Sequence, residues 1–235
     1  MIQPITHLFF DLDHTLWDTD RNAEESLREL FEELQLTMHG IPDFAAFHTA
    51  YRSHNDRLWG LYAEKKVNKA DVRNKRFADT LVDFKITSAK LIETLSDEFI
   101  HRTPRKTHLI TGAETLLKSL EGKYRMAIIT NGFPEAQYVK LECSGLATYF
   151  SEIYISEEIG HIKPDPLLFK HAMHHSDAKS VESCMMIGDT FETDVYGAMC
   201  VGMHAVHFNP KDESPHPEPV ITIRTLENLH LHLGA

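Results

Sequence analysis

The sequence predicts an α/β protein: a parallel sheet flanked by helices, carrying an all-helical insertion after its first strand. From Lys106 onward, short apolar runs alternate with amphipathic stretches, the signature of strands joined by crossover helices. Before that point, for about ninety residues after Asp13, apolar residues recur only at helical spacing. The first apolar run, Leu8-Phe9-Phe10, empties into two carboxylates, Asp11 and Asp13. Such a run reads as a strand buried on both faces. Together these features describe a Rossmann-like core, in which ligands and catalytic groups gather outside the carboxyl ends of the strands.

In the insertion, Leu27, Leu30, Phe31 and Leu34 form one helical stripe, and Phe44, Phe47, Tyr51 and Leu58 a second. Val72, Phe77 and Leu81 form a third that starts at the cap residue Asn68, and Ser88, Leu91, Ile92, Leu95 and Phe99 a fourth. Downstream, Thr111-Gly112-Ala113-Glu114 reads as a capping box opening a helix that ends near Gly122. Strands are expected at 126–129, 152–155, 184–187, 204–208 and 220–223. Helices are expected at 135–143, stopped by Gly145, at 166–175, at 192–200, closed by Gly202, and at the end of the chain. The Pro-rich stretch 210–219 is an irregular connection. Residues 1–17 and 106–235 thus form the core and 18–105 the inserted cap, with linkers near Asp18 and Thr19 and between Thr103 and Lys106.

A chain of 235 residues with 42% hydrophobic content can bury a full interior. Its net charge of -11 argues against a nucleic-acid polymer as partner, which would need clustered Lys and Arg. The amino terminus has no basic leader, and its apolar run is broken too early to span a membrane, so a cytoplasmic protein without membrane contact is expected, as a monomer or small homo-oligomer. Cys143, Cys184 and Cys200 lack metal-ligand spacing and read as buried, unpaired thiols. His171, His174 and His175 fall on one helix, without the Glu or Cys partners of a metal motif, and read as solvated surface.

Two acids side by side at a strand end need a cation, a shared proton, or both. Three later strand ends supply groups suited to the same phosphoryl site. Thr130 and Asn131, before Gly132, offer donors for phosphate oxygens; Lys163, before Pro164, offers an ammonium; Asp189, with Asp194 five residues on, offers two more carboxylates.

Those four pieces, in that order, resemble the motifs of the haloacid dehalogenase superfamily, mostly Mg2+-dependent phosphatases acting through an aspartyl-phosphate. The resemblance covers the whole chain, including the helical cap. Asp-Leu-Asp-His-Thr-Leu-Trp-Asp at 11–18, Ile-Ile-Thr-Asn-Gly-Phe at 128–133, the stretch 141–150 and Ile-Ser-Glu-Glu-Ile-Gly at 155–160 look like the bacterial pyrimidine 5'-nucleotidase branch. The resemblance implies Asp11 as nucleophile, Asp13 as general acid and base, Thr130 and Asn131 as phosphate-orienting groups and Lys163 as the stabilising cation. It further implies Mg2+ held by Asp11, the Asp13 carbonyl and Asp189, with Asp194 behind the direct ligands. Relatives often carry glycine where this chain has His14, a difference expected to affect the turn more than the chemistry. Four carboxylates and a phosphate dianion would outweigh Mg2+ and one ammonium, which favours a protonated Asp13 once substrate is bound.

The substrate implied is a small phosphorylated metabolite, a nucleoside 5'-monophosphate or similar ester, recognised from the cap. Asn55, Leu58, Trp59, Tyr62, Arg76 and Phe77, with Trp17 at the junction, are the candidates to stack on or hydrogen-bond a base. A 2-haloacid dehalogenase would use the same nucleophile but has no use for an acid at Asp13. A phosphosugar mutase would pass the phosphoryl group to another hydroxyl, and a phosphate-binding or phospho-aspartate sensor would not turn over.

Overall fold

The structure, a computed structural model, describes residues 4–212 and 220–233. Strands β1 (His7–Phe10), β2 (Arg125–Thr130), β3 (Glu152–Ile155), β4 (Cys184–Gly188), β5 (His204–Phe208) and β6 (Ile221–Ile223) form one sheet in the order β3-β2-β1-β4-β5-β6. Every neighbouring pair is parallel. The chain order reverses at β1, whose neighbours are β2 and β4, and a crevice opens at the carboxyl ends of such a switch point. Phe10 lies level with Ile128 on one side and Ile187 on the other, so the polar residues that follow each strand emerge at one edge.

The apolar runs are continuous because both faces of the sheet are covered. Leu8 and Phe10 face a layer containing Leu116, Leu117, Leu141, Leu226 and Leu229, while Phe9 faces Phe169, Ala172, Met186 and Val195. The first layer comes from α5 (Ala113–Leu120), α6 (Pro134–Cys143) and a 3-10 helix at Leu226–His232; the second includes α8 (Pro166–His175), which follows the single turn α7 (Ser156–Ile159).

Several local expectations are corrected. Gly112, with φ of 85°, occupies the cap position of α5, and since it has no side chain the expected box between Thr111 and Glu114 does not form. The helix expected at 192–200 is a π-helix, Phe191–Tyr196, running into the short α9 (Gly197–Met199); such wide turns concentrate at functional sites. The closing helix is 3-10. Cys184 is buried, but Cys143 and Cys200 are exposed at helix ends; all three are free. Of the irregular connection at 210–219, residues 213–219 lie outside the described residues.

The chain divides into two compact units, Met1–Thr19 with Thr107–Ala235, and Asp20–Lys106. The second is built from α1 (Thr19–Glu33), α2 (Phe44–Ala63), α3 (Lys69–Asp83) and α4 (Ala89–Arg102). Asn68, the cap residue expected from the sequence, forms a reciprocal box with Asp71; Ser88, read as part of the fourth stripe, instead caps that helix, accepting from the Leu91 amide. Tyr51, Phe77 and Phe99 form a triangle with ring centroids 5.2, 5.4 and 5.5 Å apart, worth about 0.5–1.5 kcal/mol per pair beyond burial. Lys106 ties the end of this unit to Glu25 and Glu29 of α1.

Candidate active site

The carboxyl ends of β1 and β4 and the loop after α7 bring one ammonium between two acids. Lys163 Nζ lies 2.6 Å from Asp11 Oδ1 and 2.6 Å from Asp194 Oδ1, and donates to the Ile129 carbonyl at 2.8 Å. Its burial, with only 2% of the residue exposed, would be untenable without those partners. Asp194 comes from the π-helix, and its other oxygen accepts from the Thr190 amide at 3.1 Å. A Cβ on Gly188 would stand 2.3 Å from that oxygen, so the close approach of strand end and carboxylate requires glycine there.

Asp11, Asp189 and Asp194 offer carboxylate oxygens that all lie within 4.8 Å of one another. Three acids share one ammonium, and their ionisation reflects the shortage. Burial raises Asp11 well above the ordinary carboxylate range; Lys163 opposes that shift, while Asp194, Asp189 and Asp13 add to it. Asp189 is pushed up to about 7, first by burial and then by Asp194, although Thr15 Oγ1 donates to it at 3.2 Å. Burial works to lower Lys163, but Asp11 and Asp194 outweigh it and keep the ammonium charged. A hard divalent cation taking oxygen ligands would supply the missing charge. The donor set fits Mg2+.

Asp13 has a second, separate cation. Lys140 Nζ stands 2.6 Å from Asp13 Oδ1 and 4.5 Å from the Trp17 ring centroid, where the indole face adds a cation-π contact. Thr19 Oγ1 donates to the same oxygen at 2.8 Å and Gln137 Nε2 to Oδ2 at 2.8 Å. Burial acts to raise Asp13, but Lys140, reinforced by these hydrogen bonds, brings it down to about 2. In the resting protein Asp13 is therefore a carboxylate.

These motifs, on this sheet, match a known family. A model described as haloacid dehalogenase-like hydrolase matches residues 8–208. The chain belongs to the haloacid dehalogenase-like hydrolase family. It is an enzyme of the family's phosphatase type. It is 31% identical to the pyrimidine 5'-nucleotidase PynA of Streptococcus pneumoniae over 90% of this chain and 86% of that protein. It is 30% identical to the pyrimidine 5'-nucleotidase YjjG of Escherichia coli over 95% and 94%. Among solved structures, the putative hydrolase YfnB of Bacillus subtilis, bound to magnesium, superimposes with a TM-score of 0.88 at 28% identity, covering 99% of this chain and 100% of that one.

Of the seven residues singled out from the sequence, Asp11, Asp13, Thr130, Asn131 and Asp189 lie at strand ends or in the loops directly after them, Lys163 in the loop after α7 and Asp194 in the π-helix. Asn131 has a partner the sequence did not reveal: its Oδ1 accepts from the Lys163 amide at 2.8 Å and its Nδ2 donates to the Lys163 carbonyl at 3.1 Å, clamping the backbone that carries the ammonium. His14 adopts φ of 61°, the left-handed conformation that glycine takes without strain.

Sequence reasoning missed Gln137 and Lys140. The available signal was a spacing of three on α6, the helix opening just after Gly132, which puts both on one face. Three proposed recognition residues are corrected: Phe77 packs in the core of the helical unit and Trp17 in the core of the sheet unit, and Leu58 is buried as well. Asn55, Trp59 and Tyr62 are half-buried, and Arg76 is buried with its guanidinium 4.9 Å from the Phe99 ring centroid. His171 and His175 stack at 3.9 Å, and among the described residues the acidic trio is the group with metal-ligand spacing. No helix of the described residues is long and apolar enough to cross a membrane.

Proposed function

We propose that this chain is a Mg2+-dependent phosphomonoester hydrolase acting through an aspartyl-phosphate on nucleoside 5'-monophosphates or similar small esters. The observation that carries this is the buried Lys163 ammonium held 2.6 Å from Asp11 at the switch point of the sheet, beside two further acids. The nucleotide preference is drawn from relatives named as pyrimidine 5'-nucleotidases at 31% and 30% identity. Partners are then small phosphorylated metabolites rather than nucleic-acid polymers.

Asp11 attacks phosphorus in line, forming an acyl-phosphate bond as the ester P–O bond breaks, and Asp13 gives its proton to the departing alkoxide. Asp13, now a carboxylate, takes a proton from the water that attacks the acyl-phosphate, which releases phosphate and restores both side chains. The phosphate dianion arriving among carboxylates favours the protonated Asp13 that the first half-reaction needs, and the Lys140 pair favours the ionised form that the second needs. Lys163 stabilises charge on the transferring oxygens, and Thr130 donates to one of them. Asp11, the Asp13 carbonyl and Asp189 would hold Mg2+, with Asp194 fixing Lys163; bound there, the ion supplies Lewis-acid charge against the phosphoryl oxygens. The choice of leaving group is assigned to the helical unit, where Asn55, Trp59, Tyr62 and Arg76 are the groups able to engage a base or sugar. A halide leaving group needs no proton, so a dehalogenase would have no use for the partners arrayed on Asp13.

The test is a screen of phosphate monoesters with and without Mg2+, comparing the native chain with Asp11→Asn. Expected is phosphate release by the native chain with Mg2+ that disappears in the variant. Equal release from both would overturn the reading.

A further inference from the structure

Gln137 is fully buried and joins the two groups assigned to opposite ends of the reaction. Its Nε2 donates to Thr130 Oγ1 at 2.7 Å and to Asp13 Oδ2 at 2.8 Å, one hydrogen for each. The carboxylate decides which way the amide faces, since the flipped side chain would set its oxygen against Asp13. Thr130 Oγ1 also accepts from the Gly132 amide at 3.0 Å. A hydroxyl oxygen has two acceptor positions and one hydrogen. Both acceptor positions of Thr130 are filled, so the hydroxyl can act outward only as a donor. Thr130 is 1% exposed, and among the described residues no acceptor takes that hydrogen.

We propose, resting on the phosphatase reading, that Gln137 is a positioning residue that commits the Thr130 hydroxyl to donate to a phosphate oxygen and ties that hydroxyl to Asp13. An oxyanion offers only acceptors, so a hydroxyl already fixed as donor need not reorganise when phosphate binds. Gly132 belongs to the same device: a Cβ there would stand 1.8 Å from Gln137 Nε2, so any side chain at that position displaces the amide. The space that glycine leaves in the turn is the space the glutamine fills.

The test is a double-mutant cycle read by binding of inorganic phosphate to the Mg2+-loaded protein, followed by phosphorus NMR titration, so that turnover is not needed. Gln137→Met keeps the length and removes the donor; Thr130→Val removes the hydroxyl. Expected is a loss of about five- to tenfold in phosphate affinity for Gln137→Met in the native background and less than about twofold in the Thr130→Val background. Gly132→Ala, which pushes the same amide aside, serves where Gln137→Met does not fold, with the same pattern expected. An equal loss in both backgrounds, or no loss in a folded variant, overturns the proposal. Native protein that hydrolyses esters but gives an additive cycle refutes the role of Gln137 alone. Native protein that neither hydrolyses esters nor binds phosphate refutes the phosphatase reading and, with it, this proposal.

Discussion

Asp189→Asn should make the metal-free protein more stable at neutral pH, although it removes a group from the centre of the site. Asp189 is half-buried beside Asp194 and rises from 3.8 to about 7. The folded protein thus holds this proton more tightly than the unfolded chain, so the associated stability is complete below about pH 4 and is lost as pH climbs to 7. Moving one carboxyl that far is worth about 4 kcal/mol, an upper bound because neighbouring acids and solvent relax around it. Asparagine carries no such proton. Urea denaturation in chelator from pH 4.5 to 8 should show the two proteins converging at the acid end, with the variant ahead by about 2–4 kcal/mol at the alkaline end. Mg2+ should then stabilise the native chain, since it supplies the charge the proton supplied, and should do little for the variant. A stability difference that does not change with pH, or equal stabilisation of both by Mg2+, would refute the account of the cluster.

Lys163→Met leaves Asp11 and Asp194 buried without their ammonium, and should cost about 3–5 kcal/mol by denaturant unfolding at pH 7.5, with part restored by adding Asp194→Asn. Lys140→Met acts on a carboxyl held down to about 2, whose contribution is present above the unfolded value near 4 and lost as pH falls toward 2. It should cost about 2 kcal/mol at pH 7, a difference that closes in acid, and a difference persisting at pH 2 would count against the ion pair. His14→Gly removes a left-handed strain of about 1–2 kcal/mol while adding about 0.5–1 kcal/mol of chain entropy to the unfolded state, so the melting temperature should rise slightly with activity unchanged; a fall would show that the imidazole makes a contact worth more than the strain.

Much of the fold is legible because its signals are local or periodic. The buried strands read as unbroken apolar runs, and Asn68 announces a helix start through its own side chain. The misreadings share a cause. Thr111 and Glu114 have the spacing of a capping box, yet the backbone turned at Gly112 and left no side chain at the cap position. Phe77 has the chemistry of a base-stacking residue, yet Tyr51 and Phe99, distant in sequence, claim its faces. Residue type reports what a side chain can do; burial reports what is left for it to do.

The site shows the same division. Asp11 and Asp189 stand at the ends of β1 and β4, which strand order makes neighbours, and Lys163 reaches them from the loop after α7. Lys140 could not be read that way, because its role depends on the pitch of α6 carrying it over the Trp17 ring to Asp13. Its presence alters the charge accounting: Lys163 pairs with Asp11 and Lys140 with Asp13, so each of the two acids given a role in the proposed mechanism has its own ammonium. Lys163 sits among three carboxylates and leaves them short of positive charge, the condition that favours a cation beside Asp11. Lys140, with Thr19 and Gln137, satisfies Asp13, so the acid proposed to trade protons stays outside that shortage. Exchanging the two assignments, with a lone ammonium on Asp11 and three acids around Asp13, would disfavour the cation where the proposed nucleophile needs it and hold Asp13 in its protonated form, unable to serve as the proposed base.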